Sequence, residues 1–294
     1  MNKMQSYLVA SHAFRLIMPE NESLWQGIAL AYSPFAVPAD RPLFEVKVVD
    51  SIGFEGSFLL LKDSNPKEEE AKLDVWRTPR GYLFVMRTPF TDRENCMLRI
   101  SDNFRAARIA LSGNDLERLY GLNSALMLSF LLATARLDTL VMHASAVINQ
   151  GKAYLFLGRS GTGKSTHSRL WLQAIPGTEL LNDDHPILRI DASGNVIAYG
   201  SPWSGKTHCY RSTGVPLGGI VRIRQAPINR LHHLSPVGSY ASLLTSSSGM
   251  TWQKELADYK NATLQKVISA VPCWRLECLP DEAAAKLCAA KVRK

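Results

Sequence analysis

The sequence lacks a recognisable cysteine framework. Its cysteines number five in 294 residues and include no Cys-x-x-Cys pair and no Cys/His quartet: Cys96, Cys209, Cys273, Cys278 and Cys288. An odd number of irregularly spaced cysteines argues against a disulfide scaffold or a zinc site, and favours reduced thiols that fill space as small apolar side chains. We therefore expect a cytoplasmic protein that folds without covalent cross-links.

Long hydrophobic runs are also absent. The longest, Leu122–Ala135, contains Asn123 and Ser124 and is shorter than the roughly 18 residues that a membrane span needs. No apolar run or small-residue cleavage site follows the first residues, Met1–Ser6, so a secretory signal is not expected. The run Leu122–Ala135 instead predicts a buried helix, and no membrane partner is expected.

Dense blocks of like charge are missing, although lysine and arginine (34) outnumber the acidic residues (26) and give a net charge of +8. The basic residues are scattered, and neither a two-cysteine, two-histidine finger nor an RNA-stacking aromatic motif occurs. Nucleic acid is therefore not an expected partner, whereas small anions suit the charge. The one biased segment, Lys67–Lys72, predicts a solvated loop or helix face.

The chain divides by pattern into two parts, residues 1–112 and 113–294. The first part carries short strand-like runs such as Phe44–Val49 and Gly81–Met86, which predict a β-rich α+β domain with an antiparallel or mixed sheet. A polar stretch at Ser112–Asp115 then caps a long, mostly buried helix that continues to about Leu137. The predicted domain boundary lies just before that helix.

Two strands are predicted after the helix, Leu140–Ile148 and Lys152–Leu157, joined by a turn at Asn149–Gly151. The second strand leads into Gly158–Ser165, a Walker A pattern of the form Gly-x-x-x-x-Gly-Lys-Ser. An amphipathic helix follows to about Ala174. Strand, glycine-rich loop and helix thus occur in the order that a phosphate-binding loop (P-loop) requires.

The chemistry of this loop depends on its residue types. Glycines allow backbone N–H groups to turn toward phosphate oxygens, and the helix N-terminus adds the positive end of its dipole. Lys164 is expected to bind the β- and γ-phosphates and the Ser165 hydroxyl to ligate Mg²⁺, with Thr166 as an alternative ligand. The competing interpretation is a glycine-rich turn with an exposed lysine. The expected nucleotide-binding residues are Gly158, Ser160, Gly161, Thr162, Gly163, Lys164, Ser165 and Thr166.

Two adjacent acids, Asp183 and Asp184, follow an apolar strand that begins near Glu179. Because successive side chains on a strand point to opposite faces, both acids reach one site only where the strand ends, as Pro186 indicates. One carboxylate is expected to hold Mg²⁺, directly or through water, while the other accepts the proton of an attacking hydroxyl. The alternative is a hairpin turn with solvated acids.

Together, three features resemble the catalytic domain of HPr kinase/phosphorylase and its relatives, which include stand-alone kinases of unassigned substrate: His143-Ala144-Ser145, Gly158–Ser165 and Asp183-Asp184. The resemblance covers roughly residues 115–230. It implies an α/β (mixed α+β) fold shared with phosphoenolpyruvate carboxykinase, with the P-loop in mixed sheets beside a smaller N-terminal α+β domain. It also implies that His143 lies near the reacting phosphate. By residue type alone, a histidine at a strand end is more often a packed one.

The chain departs from the family in one place. HPr kinases carry a Glu-Val/Ile-Arg-Gly segment, associated with metal binding and the phosphorylase reaction, where this chain has Tyr199–Lys206. The difference leaves the phosphorylase activity and the protein substrate open. One interpretation is that Trp203 and Lys206 contact the phosphate or the acceptor. An equally good interpretation is that Trp203 is a packed aromatic residue and Lys206 a solvated charge. Arg222 and Arg224 alternate on a strand-like run, so their shared face either steadies a phosphate or forms an outward basic surface.

These features predict a Mg²⁺-dependent kinase that transfers a phosphoryl group from ATP, or from a related donor such as ADP or pyrophosphate, to a hydroxyl. The acceptor is a serine of a protein or peptide, or a small molecule. The alternative is a nucleotide-binding regulatory module with little or no catalysis. A complete phosphoenolpyruvate carboxykinase is disfavoured because those enzymes are much longer. The sequence does not decide whether the protein is a monomer or a homo-oligomer. Expected catalytic residues are Asp183, Asp184, Lys164 and His143, and expected metal ligands are Ser165, Asp183 and Asp184.

Overall fold

A computed structural model describes residues 1–62, 72–88 and 93–293. The chain forms two compact units, Met1–Ala133 and Thr134–Lys294. The charged run expected to be a solvated loop or helix face lies outside the described residues, apart from Lys72 at the start of a strand.

The described residues of the first unit form a mixed β-sheet and helices. Its strands are β1 (Asn2–Val9), β2 (His12–Pro19), β3 (Ala36–Val37), β4 (Phe44–Val48), β5 (Phe58–Leu61), β6 (Lys72–Thr78), β7 (Gly81–Arg87), β8 (Glu94–Ser101) and β9 (Ala106–Leu111). Its helices are α1 (Leu24–Tyr32), a short 3-10 helix (Ser33–Phe35) and α2 (Asp115–Thr134).

The strand order of this sheet is β3-β1-β2-β4-β9-β8-β7-β6-β5. The β2–β4 and β4–β9 pairs are parallel, and the other pairs are antiparallel. On β2, every second residue is fully buried, as in Phe14, Leu16 and Met18. This period of two places the apolar side chains on one face and builds the core there. The strands predicted at Phe44–Val49 and Gly81–Met86 are confirmed as β4 and β7.

Helix α2 begins at a capping box. The Asn114 side chain accepts a hydrogen bond from the Glu117 backbone N–H at 3.0 Å, and the Glu117 carboxylate accepts one from the Asn114 N–H at 2.9 Å. Further along, Asn123 accepts a hydrogen bond from the Tyr32 hydroxyl, and the Phe130 ring packs against Phe44. These contacts lie within the first unit, and the two compact units meet at the C-terminal end of α2, whereas the sequence pattern places a boundary before this helix, at residues 112/113.

The second unit carries the predicted phosphate loop. Its strands are β10 (Thr139–Val141), β11 (Ala144–Asn149), β12 (Lys152–Leu157), β13 (Glu179–Asn182), β14 (Ile187–Ile190), β15 (Val196–Tyr199), β16 (Gly214–Gln225), β17 (Arg230–His233) and β18 (Cys273–Cys278). Its helices are α3 (Lys164–Ala174), α4 (Pro236–Leu244), α5 (Lys254–Ala270) and α6 (Glu282–Val292).

The strands of the second unit form a mixed sheet in the order β10-β14-β15-β16-β12-β11-β13, with β18 also pairing with β16 and β17. Strand β12, which leads into the glycine-rich loop, is antiparallel to β11 and parallel to β16. Strand β13, which leads into the two aspartates, lies on the other side of β11. The ends of β12 and β13 therefore lie one strand apart at the same edge of the sheet.

Apolar residues cover both faces of this sheet. On β12, Leu155 and Leu157 belong to a core with residues of α4 and α5, whereas Tyr154 and Phe156 belong to a second core with residues of α3 and α6. A strand buried on both faces must be apolar throughout, which explains the continuous run that precedes the loop.

Both units combine helices with a large mixed sheet, which confirms the mixed α and β class. The turn predicted at Asn149–Gly151 is present, with a positive φ at Gln150 (51°) and Gly151 (72°). The strand predicted over Leu140–Ile148 is divided, since β10 ends at Val141 and β11 begins at Ala144. None of the helices in the described part of the chain combines the length and apolar character that a membrane crossing needs.

Candidate functional site

The glycine-rich loop has the geometry of an anion-binding turn. It connects the end of β12 at Leu157 to the start of α3 at Lys164. Gly161 and Gly163 have φ angles of 76° and 98°, which side chains with a Cβ rarely adopt. Gly163 is the N-cap of α3, and no side chain caps it. The helix N-terminus therefore presents backbone N–H groups and a positive dipole end to the loop.

Lys164 is buried at the start of α3 and is held by backbone oxygens. Its Nζ donates to the carbonyls of Gly158 at 3.1 Å and Arg159 at 3.4 Å, and lies 3.2 Å from His143 Nε2. Burial lowers the pKa of Lys164, and the charges of Asp184 and Asp183 partly oppose that shift. The ammonium group is therefore fixed in place between the loop and the two carboxylates.

A second cation lies on the neighbouring strand. Arg222 pairs with Leu157 in the sheet register, and its Nη1 donates to Thr245 Oγ1 at 3.0 Å. Burial and, after it, the charge of Arg159 lower the pKa of Arg222. Because the positive charges of Lys164, Arg159 and Arg222 repel one another, an anion bound near them would be stabilised. The Arg224 side chain is 69% exposed, and its Nη1 lies 3.6 Å from Glu277 Oε1. Of the two arginines predicted to share a face, Arg222 therefore lies near the loop and Arg224 at the surface.

The backbone at the two aspartates is anchored by side chains from other segments. Strand β13 ends at Asn182, and the Asn182 side chain accepts a hydrogen bond from the Asp184 N–H at 3.0 Å. The Asp183 N–H donates to Ser204 Oγ at 3.1 Å. This bend brings both carboxylates into the neighbourhood of Lys164, where their negative charges act to raise its pKa. The prediction that the strand ends at these acids is confirmed.

Two hydroxyl groups engage Asp183. Ser145 Oγ, fully buried on β11, donates to Asp183 Oδ1 at 2.6 Å and lies 2.5 Å from Ser168 Oγ. Since Ser145 has a single hydroxyl proton, Ser168 is the donor in that second contact. The Thr207 hydroxyl donates to the other oxygen, Asp183 Oδ2. Asp183 is thus oriented from both sides by hydroxyl donors.

Asp184 lies among nitrogen groups instead. His185 Nδ1 is 3.2 Å from its Oδ2, and His143 Nε2 is 3.7 Å from its Oδ1. Burial acts to raise the pKa of Asp184, but the hydrogen bond from His185 and the charges of His185, His143 and Lys164 outweigh it, so the pKa is lowered. The carboxylate form of Asp184 is therefore favoured. Neighbouring aspartates in the chain consequently have different surroundings.

Residues 199–206 pack against the segment that carries the two aspartates. Ser201 Oγ donates to the His185 carbonyl at 2.6 Å, and the His185 N–H donates to the Trp203 carbonyl at 3.0 Å. Trp203 is 3% exposed, so it is a packed aromatic, whereas Lys206 is exposed. At Gly205, with φ of 56°, an added Cβ would lie 2.9 Å from Asp184 Cβ. A side chain at this position would crowd the carboxylate.

The predicted catalytic residues lie together: Lys164, His143, Asp183 and Asp184 form one cluster at the ends of β10, β12 and β13. Ser165 and Thr166, on the first turn of α3, are half-buried. Among the predicted loop residues, Thr162 Oγ1 donates to the Arg159 carbonyl at 2.7 Å and closes the loop.

No group of three or more His, Cys, Asp or Glu side chains within the described ranges is arranged to hold a metal ion. Mg²⁺, however, typically takes one or two protein carboxylates together with waters and substrate phosphates. Ser165, Asp183 and Asp184 supply only hard oxygen ligands, so their chemistry fits Mg²⁺.

Several residues of the site were not predicted. Ser168 follows Lys164 by four positions on α3, so helical periodicity could have placed both on one face. His185 is adjacent to the aspartates and carried no separate signal. Thr207 is 24 positions from Asp183 in a segment without regular structure, and nothing in the sequence pointed to it.

Comparison of the chain with protein-family models and with curated proteins finds no match.

Proposed function

We propose that the second unit is a Mg²⁺-dependent kinase that transfers a phosphoryl group from ATP to a hydroxyl group. The observation that carries this proposal is the convergence of a buried P-loop lysine and two carboxylates at one sheet edge. Phosphoryl transfer needs this combination, because cations must neutralise the phosphates while a carboxylate positions and deprotonates the acceptor.

The surroundings of each group suggest its role. Lys164 binds phosphate oxygens, with Arg222 as a second cation nearby. Asp183 accepts hydrogen bonds from hydroxyl groups on both oxygens, which is the interaction a general base makes with an alcohol acceptor. Asp184 and Ser165 would hold Mg²⁺, which when bound neutralises phosphate charge. His143 lies between Lys164 and Asp184 and fixes their spacing.

The proposed fold relationship is to HPr kinase/phosphorylase and phosphoenolpyruvate carboxykinase. The mixed character of the sheet around β12 supports it, since this strand has one antiparallel and one parallel neighbour. Phosphorylase activity is not part of the proposal, because the Glu-Val/Ile-Arg-Gly segment is replaced by a loop in which Ser201 and Trp203 are buried. The acceptor class comprises serine hydroxyls of proteins or peptides and small alcohols.

The test is label transfer from γ-labelled ATP with Mg²⁺ to a panel of hydroxyl acceptors and cell extract. Lys164→Ala should abolish transfer, because it removes the cation at the phosphates. Lys152→Ala is the matched control, since Lys152 is exposed at the other end of β12 and should leave transfer unchanged. Equal activity of the Lys164→Ala protein would refute the proposal. Tight nucleotide binding without transfer to any acceptor would instead support a regulatory nucleotide-binding module.

A further inference from the structure

The segment between β15 and β16 brings a hydroxyl of the chain itself to the proposed catalytic base. Residues 200–213 contain no helix or strand, and Thr207 within them is exposed. The Thr207 hydroxyl nevertheless donates a hydrogen bond to Asp183 Oδ2. Asp183 in turn lies close enough to Lys164 to influence its pKa. The hydroxyl is thus one carboxylate away from the cation at the phosphate loop.

The two hydroxyl partners of Asp183 differ in one decisive respect. Ser145 is fully buried in β11 and is fixed by Ser168, so its oxygen has no path to a phosphate. Thr207 is exposed, and its hydroxyl donates to the other carboxylate oxygen, Asp183 Oδ2. An acceptor alcohol must donate to the general base while its oxygen is open to the transferring group. Thr207 meets both conditions.

We propose that Thr207 is an autophosphorylation site, modified in cis by the same active site. The inference rests on the proposed kinase function. In the step, Thr207 Oγ1 forms a bond to the γ-phosphorus of ATP while the bond from that phosphorus to the β,γ-bridging oxygen breaks. ADP leaves, and the hydroxyl proton passes to Asp183 and then to solvent. Lys164 stabilises the charge that develops on the leaving phosphate.

To test this, the full chain is incubated with Mg²⁺ and γ-labelled ATP. Intact-mass and peptide mass spectrometry then locate the phosphate. One phosphoryl group on Thr207 is expected. Thr207→Val should reduce incorporation to below about a tenth of the wild-type level, because the acceptor oxygen is gone. Thr207→Ser, which keeps a hydroxyl, should retain it. Thr213→Val removes another exposed hydroxyl of the same segment and should leave incorporation unchanged.

Two further measurements, the dependence of labelling on protein concentration and the position of the label, make the test decisive. Modification in cis predicts that the fraction labelled per unit time is independent of protein concentration, and a rate that rises with concentration would overturn it. Label on a residue other than Thr207, or full labelling of Thr207→Val, would also overturn it. ATP hydrolysis or transfer to external acceptors without label on Thr207 would refute autophosphorylation and leave the kinase proposal standing. Absence of nucleotide binding and of every transfer would refute both.

Discussion

Asp183 and Asp184 are adjacent residues whose surroundings separate their chemistry. Asp183 is contacted by hydroxyl donors, Ser145 and Thr207, whereas Asp184 is contacted by His185 and lies near Lys164. Hydroxyl contacts suit a group that receives a proton from an alcohol, and cationic surroundings suit a group that stays ionised beside phosphate and metal. The two acids should therefore respond differently to the same substitution.

Asp183→Asn is expected to lower the rate of phosphoryl transfer by about 10²- to 10⁴-fold, the usual contribution of a general base. Nucleotide affinity should change little, because the amide keeps the shape of the carboxylate. Asp184→Asn should instead weaken binding of Mg²⁺–nucleotide. Steady-state kinetics and nucleotide titration with and without Mg²⁺ measure the two effects. Asp191→Asn, at an exposed turn, is the control. Equal effects of both substitutions on affinity and rate would contradict the division of roles.

His167 is a buried residue whose titration affects stability. Its Nε2 accepts a hydrogen bond from Trp171 Nε1 at 3.1 Å, and burial lowers its pKa to about 4. In the unfolded chain the same histidine has a pKa of about 6.5, so the unfolded state binds the proton first as pH falls. The contribution of His167 to the free energy of unfolding is therefore complete above about pH 6.5. It declines between about pH 6.5 and 4, by about 1.4 kcal/mol per pH unit.

Urea unfolding of the wild type at pH 7 and pH 5 should therefore show a loss of about 2 kcal/mol attributable to His167. His167→Gln should remove that part of the pH dependence, since glutamine can accept the Trp171 hydrogen bond without titrating. His208→Gln, which replaces an exposed histidine, is the matched control and should keep the wild-type slope. An unchanged slope in His167→Gln would show that other groups cause the decline.

At the scale of elements, the glycine-rich loop depends on close packing between its own residues where it connects β12 to α3. Gly158 begins the loop, and a Cβ added there would lie 2.2 Å from Thr162 Oγ1. That oxygen already donates to the Arg159 carbonyl and closes the loop. An alanine at Gly158 must therefore displace Thr162 and open the turn that positions the backbone N–H groups.

Gly158→Ala is expected to weaken ATP binding by at least about tenfold, or about 1.4 kcal/mol. Gly194→Ala is the control, because Gly194 also lies in a turn, has a positive φ of 84° and has open space around its added Cβ. Gly194→Ala should lower stability by about 1 kcal/mol, because alanine disfavours a positive φ, and it should leave nucleotide binding unchanged. Calorimetric titration with ATP and thermal unfolding of both variants separate the two effects, and retention of full affinity in Gly158→Ala would contradict the proposed role of the loop.

At the scale of the whole molecule, α2 decides where the chain divides. Leu122, Leu126 and Phe130 of this helix are fully buried, Phe130 packs against Phe44 of the first unit, and that unit ends at Ala133. A fragment of residues 134–294 should therefore be monodisperse and bind ATP. A fragment of residues 113–294 would expose the apolar face of α2 and should aggregate. Size-exclusion chromatography of the two fragments tests this division, and the opposite order of behaviour would restore a boundary at residues 112/113.

The local elements around the site follow from short-range rules. The loop Gly158–Ser165, the helix that follows it and the turn at Gln150 and Gly151 all depend on glycine conformations and apolar periodicity, which operate within a few residues. The break of the predicted strand at Met142 and His143 was not foreseen, because no glycine or proline marks a turn there. The domain boundary depends on which surface α2 buries, and periodicity does not identify that surface.

Residue types and spacing predicted a glycine-rich turn between a strand and a helix, a lysine at the start of that helix and a pair of acids at a strand end, since each is a local pattern. Folding decided which groups these residues meet. Thr207 reaches Asp183, and Arg222 comes near Arg159, through strand pairings between segments far apart in the chain. Such contacts are set by sheet order and core packing, which depend on all the strands at once, so no single stretch of sequence contains them.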